Sequence, residues 1–530
     1  MSAGEATSDQ ERVLAFLADP ATHGGAAVQR IDTHGAIVFL AGDRAYKVKR
    51  AVSFPYMDFS TLERRADACR REVTLNRRTA PELYLGTAQV TREADGRLAL
   101  VGPGVEPEGD AVEWLVVMRR FERDATFDHL AEAGRLTPEL LDAVADAVAA
   151  FHETAEVCGR ADEQSGGLAG LKAVIEENNA ELAECPELFP AARLAAFDAV
   201  CEAALGLVGP LLERRLDQGL VRHCHGDLHL RNLVLLEGRP RLFDCIEFSD
   251  FFARIDLLYD VAYLLMDLDL RGLREEANRL FNRYLLRRPA LEDLAALPLF
   301  LATRAVIRAK VGAAAAKAQR SPDKRRREKR AARDYFAAAE RYLAPPPPCL
   351  VAVGGLSGSG KSTLAQRLAP LVGAAPGAVL LRSDVLRKTL VGVDPLAPLP
   401  ESAYRAETTA QVYAALLERA ARSLAAGHAV VLDAVHARKA ERDAVDALAR
   451  RLAVPHCAFW LEAPGPLLEQ RVTTRRADAS DATVAVVRRQ MSYDMGTIRW
   501  QPLDASVGRE KLFAASRDAL GELATGGKSA

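Results

Sequence analysis

Gly355-Leu-Ser-Gly-Ser-Gly-Lys-Ser362 is the stretch on which the reading of this chain turns. It meets every fixed position of G-x-x-x-x-G-K-[ST], follows the apolar run Leu350-Val-Ala-Val353, and leads into the helix-forming run Thr363–Leu368. Strand, glycine loop and helix in that order predict a phosphate cradle. Glycines let backbone N–H groups close around an anion at a helix N-terminus, where the helix dipole also favours it. The pattern gives Gly355, Ser357, Gly358, Ser359, Gly360, Lys361, Ser362 and Thr363 to ATP. Lys361 falls on the β- and γ-phosphates and Ser362 on Mg2+.

Outward from that loop the chain alternates strands and helices. Val379-Leu-Leu-Arg-Ser-Asp384 reads as a second strand ending in a carboxylate, with Arg387 three residues on. A carboxylate at a strand's C-terminal end faces the crevice where open α/β sheets bind ligands. Ala429-Val-Val-Leu-Asp433 reads as a third strand, with Asp433 either a magnesium ligand or the cap of the following helix. Phe459-Trp-Leu-Glu462 is a fourth. Arg471 and Arg475 lie four apart on a predicted helix and its exit, which suits a lid over transferring phosphate or a solvated basic face. No sensor or arginine-finger pattern of a mechanical ATPase accompanies them. The Asp-x-x-Arg of Asp384 and Arg387, with the stretch from Arg471 to Gln490, resembles zeta-toxin-like and gluconate-kinase-like P-loop kinases over about residues 349–510. That resemblance implies that Asp384 activates an acceptor hydroxyl while Lys361, Arg387, Arg471 and Arg475 serve the transferred phosphate.

A second constellation lies upstream, in His225-Gly-Asp-Leu-His-Leu-Arg-Asn232. Phosphoryl transfer to a hydroxyl needs a carboxylate by the acceptor proton, ligands for magnesium and a cation on the donor phosphates. Asp227 stands five residues before Asn232, the spacing of a kinase catalytic loop, and Asp244 follows twelve residues beyond. Ala36–Leu40, a turn at Gly42-Asp43 and Arg44–Lys49 predict a hairpin, on which Lys47 and Lys49 share one face. Glu72, on a predicted helix over about 64–78, can pair with either lysine. His225 reads as a brace for the loop and His229 as a positional hydrogen bonder.

These residues, with Arg254, Asp256 and Asp260 in ARIDLLYDVA, resemble the aminoglycoside phosphotransferase and choline kinase superfamily over roughly residues 30–340. The resemblance implies a bilobal, protein-kinase-like α+β fold. It implies Asp227 as catalytic base and Asn232 and Asp244 as Mg2+ ligands. Lys47 (with Lys49 the alternative) would be the ATP phosphate lysine, held by Glu72. The family's glycine loop is not complete: only Thr33-His-Gly35 stands in its place. A chain with both halves in this order is similar to bacterial bifunctional aminoglycoside phosphotransferase/ATP-binding proteins.

Four prolines, Pro345–Pro348, separate the halves and predict an extended spacer. The expected organisation is a kinase-like domain over 1–344, a linker over 345–349 and a P-loop domain over 350–530. A chain of 530 residues exceeds what one core sustains. A net charge of −2 gives no overall footprint for nucleic acid, and Lys324–Arg333 reads as a solvated helix face, with the grip of a polynucleotide kinase as the alternative. The start carries no secretory pattern, no apolar run of membrane-spanning length is read, and eight cysteines are scattered without a C-x-x-C pair. The expectation is a cytoplasmic enzyme with two ATP- and magnesium-dependent sites acting on small hydroxyl acceptors, with no membrane partner; the alternative is a first-domain kinase with the P-loop domain as its nucleotide-binding regulator.

Overall fold

A computed structural model describes residues 3–33, 35–54, 57–106, 108–160, 166–393, 397, 399, 401–474 and 482–524. The chain packs as two compact units, Met1–Glu177 with Gly209–Asp267, and Asn178–Val208 with Leu268–Ala530.

The first unit carries a six-stranded antiparallel sheet of Val28–Asp32 (β1), Ala36–Ala41 (β2), Arg44–Lys49 (β3), Tyr84–Arg92 (β4), Leu98–Val101 (β5) and Asp110–Arg119 (β6). The strand order is β1-β2-β3-β6-β4-β5. The β2–β3 hairpin forms where the alternation predicts it, and Gly42 takes φ +58° at the tight turn, a conformation that glycine supplies without strain. Leu62–Asn76 (α1) packs across the sheet. Thr61 Oγ1 caps it by accepting from the Arg64 N–H at 3.3 Å. Its buried stripe is Arg65, Cys69, Glu72, Val73 and Asn76, at helical spacing, so Glu72 is carried inward toward β3. The short hairpin Leu233–Leu236 (β7) and Arg239–Leu242 (β8) presents the catalytic-loop residues before it and Asp244 after it. Helices Pro138–Thr154 (α2) and Leu257–Leu270 (α3) lie behind that loop.

The second unit holds a five-stranded parallel sheet of Leu350–Gly355 (β9), Val379–Arg382 (β10), Val430–Asp433 (β11), His456–Glu462 (β12) and Gln501–Asp504 (β13), in the order β10-β11-β9-β12-β13. Every residue of β9 is buried, as a central strand covered on both faces requires. This is the predicted P-loop sheet, with β13 as a fifth strand that the sequence reading did not find.

Packing does not divide at the proline run. Helix Arg274–Arg287 (α4), upstream of it, seals the edge strand β10. Asn282 Oδ1 accepts from the Leu380 N–H at 2.7 Å, and the Asn278 and Asn282 amides donate to the Ala378 carbonyl at 3.0 and 3.1 Å. Arg274 donates to the carbonyls of Pro370 and Gly373. Unpaired edge groups need such covering, and here residues from before residue 345 supply it.

No uninterrupted apolar run of membrane-spanning length is present in the sequence, but one helix passes on length and average composition. Helix Ala191–Asp217 is long and apolar enough, by length and composition, to cross a membrane. Its apolar stretch is broken in sequence by Asp198 and Glu202, which hid it from a run-based reading. Phe197, Cys201, Leu205 and Leu212 along it are buried, Val200 and Leu207 are exposed, and 39% of its apolar window is buried.

Candidate functional sites

In the first unit, Lys47 and Lys49 of β3 and Glu72 of α1 meet Asp244 and Glu247, five charges in one cluster. Lys47 Nζ lies 2.8 Å from Glu72 Oε1 and 2.5 Å from Asp244 Oδ1. Lys49 Nζ, on the same face, lies 2.5 Å from Glu72 Oε2 and also pairs with Glu247. Burial alone would raise the Glu72 carboxyl, but the two ammonium groups hold it down at about 2. Lys47 is pushed up despite its burial, by Asp244 and Glu72. Glu247 is missing from the sequence reading. Its only signal was a second lysine in need of a second carboxylate.

The catalytic loop is braced from behind. Asp260 on α3 accepts the N–H groups of His225 at 3.1 Å and Gly226 at 2.9 Å, and contacts His152 Nε2 of α2 at 3.1 Å. The His225 ring reaches the Phe243 carbonyl at 2.9 Å, the bracing expected of it. Asn232 Nδ2 donates to Asp227 Oδ2 at 2.9 Å, so the two predicted loop residues touch directly. His229 Nε2 lies 3.4 Å from the same carboxylate oxygen. Asp244 takes φ +60°, with its carboxylate half-exposed and turned to Lys47. Asp227, Asn232 and Asp244 offer oxygens only, which suits a hard cation such as Mg2+.

In the second unit, Gly358 (φ +84°) and Gly360 (φ +96°) turn the loop so that Lys361 begins the helix Lys361–Leu368 (α5). A side chain at Gly355 would lie 2.7 Å from the Leu461 carbonyl, and one at Gly358 2.6 Å from the Leu468 carbonyl. Lys361 Nζ donates to the Leu356 carbonyl at 3.1 Å. Among the described residues Ser359 Oγ is buried without a hydrogen-bond partner, an idle group inside a cradle of backbone donors, which fits a phosphate. Ser362 and Thr363 occupy the first turn of α5. The Ser357 N–H is accepted by Gln490 Oε1 at 2.8 Å, from helix Val484–Met491 (α8).

Asp384 does not end a strand. Strand β10 stops at Arg382, and Asp384 sits in the first turn of helix Ser383–Val391 (α6). Arg387, on the same helix, donates to the Ala403 carbonyl at 2.7 Å and lies over the Tyr404 ring, while its Nε has no hydrogen-bond partner among the described residues. Asp433 ends β11, nearly fully buried, with Arg382 Nε 3.1 Å from its Oδ2. The helix after it starts at Lys439 with Arg438 as its cap, so Asp433 is not a capping residue. Arg471 lies on helix Gly465–Thr473 (α7) and donates to the Ala505 carbonyl at 2.9 Å, at the end of β13. Arg475 lies outside the described residues. The basic run Lys324–Arg333 lies along helix Pro322–Tyr342, where Arg326 pairs with Asp323, Lys329 with Glu187 and Arg330 with Asp334.

A kinase-like lobe with a Lys–Glu–Asp cluster, and a parallel sheet with a phosphate loop, define a phosphotransferase carrying two nucleotide-type folds. The phosphotransferase enzyme family model matches residues 65–300, and an AAA domain model matches residues 350–493. The chain belongs to the family of the uncharacterized proteins Rv2004c of Mycobacterium tuberculosis and Mb2027c of Mycobacterium bovis. It is 32% identical to each over 477 residues, which is 88% of this chain and 90% of the relative. Among solved structures it is similar to a choline/ethanolamine kinase family protein from Mesorhizobium loti, with 16% identity, a TM-score of 0.39, and 63% of this chain and 98% of that chain covered. It is also similar to a gluconokinase from Sinorhizobium meliloti, with 21% identity, a TM-score of 0.25, and 34% of this chain and 96% of that chain covered.

Proposed function

We propose that the protein is a bifunctional, cytoplasmic kinase in which each site moves the γ-phosphoryl group of ATP to a hydroxyl of a small molecule. The observation that carries this reading is the charge cluster of Lys47, Glu72 and Asp244, standing with the Asp227–Asn232 pair, in a chain that also has a complete phosphate loop.

At the first site Lys47 binds the donor phosphates and Glu72 orients it, while Lys49, turned to Glu72 and Glu247, serves the packing. Asp227 takes the acceptor's proton. The acceptor oxygen forms its bond to the γ-phosphorus as the bond to the β–γ bridging oxygen breaks, and ADP leaves with that electron pair. At the second site the backbone of 357–362 and Lys361 hold the phosphates. Asp384 takes the proton there, and Arg387, Arg471 and Arg475 are the cations for the transferring group. Asn232 and Asp244 would hold magnesium at the first site, and Ser362 and Asp433 at the second. When bound, the ion neutralises phosphate charge.

The contacts of Arg387 to Ala403 and Tyr404, and of Asp433 to Arg382, favour a second reading in which the P-loop unit binds ATP as a regulator. The test is transfer from γ-labelled ATP into a library of sugars, aminoglycosides and nucleosides, with wild type, Asp227→Ala, Lys361→Ala and Asp384→Ala. Two labelled products, one lost with Asp227 and the other with Lys361 and Asp384, are expected. A single product that survives Asp384→Ala but responds to Lys361→Ala would favour the regulator.

A further inference from the structure

His436 stands three residues beyond Asp433, where the chain leaves β11. Its imidazole is fully buried, and neither ring nitrogen has a hydrogen-bond partner among the described residues. The backbone around it is well held. Its N–H donates to Tyr413 Oη at 3.0 Å, and its carbonyl accepts from Arg442 Nη1 at 2.8 Å. Its φ is +49°, a sparsely populated region for a side-chain-bearing residue.

The ring is fixed by two aromatic neighbours. Tyr413 lies 5.4 Å away at 72°, and Trp500 5.0 Å away at 65°, centroid to centroid. Trp500 also packs on Gly354, where a side chain would come within 2.8 Å of it, one residue before the phosphate loop. The carbonyl of Val435 accepts from the Gly355 N–H at 3.1 Å, which ties this turn to the loop. On the other side, the Tyr413 hydroxyl feels the charge of Glu441 first and then those of Asp384 and Arg387. His436 therefore lies within reach of the phosphate lysine's charge and packs on a tyrosine that feels the carboxylate assigned to the acceptor.

An apolar side chain would fill this space without idle polar atoms, so packing alone does not account for a histidine. Strain and unsatisfied groups gathered at one residue mark a working position. Burial, with Lys361 and Arg442 nearby, pushes the imidazole down to about 3, so it stays neutral. A neutral imidazole offers one N–H and one lone pair. That is the complement of a hydroxyl, which both accepts and donates.

We infer that His436 is an acceptor-contact residue of the P-loop site, hydrogen-bonding a hydroxyl of a polyhydroxy small molecule and holding it beside Asp384. This rests on the reading of that site as a kinase. The test uses the full chain and the product of the labelled-ATP library that Lys361→Ala abolishes. His436→Phe keeps a ring and removes the nitrogens. It should raise Tm, leave KM for ATP within about twofold, and lower kcat/KM for the acceptor by about 10- to 30-fold, the loss of one or two hydrogen bonds. His436→Asn, whose amide restores a donor and an acceptor on a residue that tolerates positive φ, should recover part of that loss.

Acceptor kinetics of His436→Phe within about twofold of wild type, where a lost hydrogen bond predicts more, would overturn the inference and leave the kinase reading intact. So would parallel losses in Tm, ATP and acceptor parameters, which are the mark of a structural residue. Absence of any Lys361-dependent product in the wild type overturns both. Should the Phe variant not fold, imidazole 15N NMR of the wild type decides: the acceptor moves the His436 ring signals, or it leaves them still and the inference fails.

Discussion

Around Lys47 every charge has an opposite charge in contact, whereas around Lys361 several polar atoms have none. Lys47, Lys49, Glu72, Asp244 and Glu247 form one chain of ion pairs. Among the described residues Ser359 Oγ, Arg387 Nε and both His436 nitrogens of the P-loop unit lack hydrogen-bond partners, against His225 Nδ1 in the catalytic loop of the first. The first site is built from side chains that satisfy one another, and the second from backbone that waits for an anion. Removing one member of a buried ion-pair chain exposes its partners to desolvation, so mutations there mix stability with activity. A backbone cradle cannot be deleted by changing a side chain, so mutations near it read more purely on function.

The two lysines of β3 give the largest test of this contrast. Lys47→Ala should lower first-site transfer by about 100-fold or more, as loss of a preorganised phosphate cation does. Its effect on stability should be modest, since Glu72 keeps Lys49 and Asp244 is half-exposed. Lys49→Ala leaves the buried Glu72 and Glu247 to share Lys47, and should destabilise the first unit by about 3–5 kcal/mol. Denaturant unfolding beside labelled transfer separates the two. If Lys49→Ala proves the more damaging to transfer in protein that is still folded, the lysine roles are reversed.

Much of this was legible because local pattern and local structure agree. The β2–β3 hairpin alternates cleanly, and the phosphate loop stands between a strand and a helix as its motif requires. Other elements were hidden for identifiable reasons. Strand β4 carries Gly86 at φ +155° and shifts register between Tyr84 and Gly86, which breaks its period. Strand β1 is an edge strand with four of its five residues exposed, so it has no apolar face to read. Strand β13 contains Pro502, which is allowed at the sheet's edge but argues against a strand in sequence. Asp384 was read one element too early because Arg-Ser-Asp continues an apolar run that in fact turns into a helix. The setting of His436 joins residues 413, 436 and 500, and no spacing announces it.

Acid should probe the buried imidazoles of the P-loop unit next, as it also probes His223 and His225 of the first unit, which burial likewise holds down. His428 and His436 are held neutral, at about 4 and about 3, by burial. Their folded values lie below the unfolded value near 6.5, so below that pH the unfolded chain takes up protons that the folded one refuses. Stability contributed by each group is present above about pH 6.5 and falls by about 1.4 kcal/mol per pH unit on acidification toward its folded value. Glu72, held near 2, keeps its charge throughout and adds no slope until the pH drops below about 4.5. Between pH 7.5 and 5.0, His436→Phe should therefore gain about 2 kcal/mol on wild type, measured by denaturant unfolding. An unchanged difference would mean that the imidazole protonates in place, and the contrast in idle polar groups would lose its main member.

The smallest expected effect probes whether the cradle is as self-sufficient as its backbone construction suggests. Gln490, on α8, accepts the Ser357 N–H at 2.8 Å, and both residues are buried. This is the one side-chain hydrogen bond described to a backbone N–H of the phosphate loop, and it makes α8 part of the loop's shape. Gln490→Ala leaves that N–H unpaired and should cost about 1 kcal/mol, seen as about fivefold weaker MgATP binding at the P-loop site. The product that depends on Asp227 should be unaffected. Tighter binding in the variant would mean that Gln490 competes with phosphate for the N–H. Helix α8 would then restrain the loop rather than complete it, and the cradle would have to break a protein contact before it could hold a phosphate.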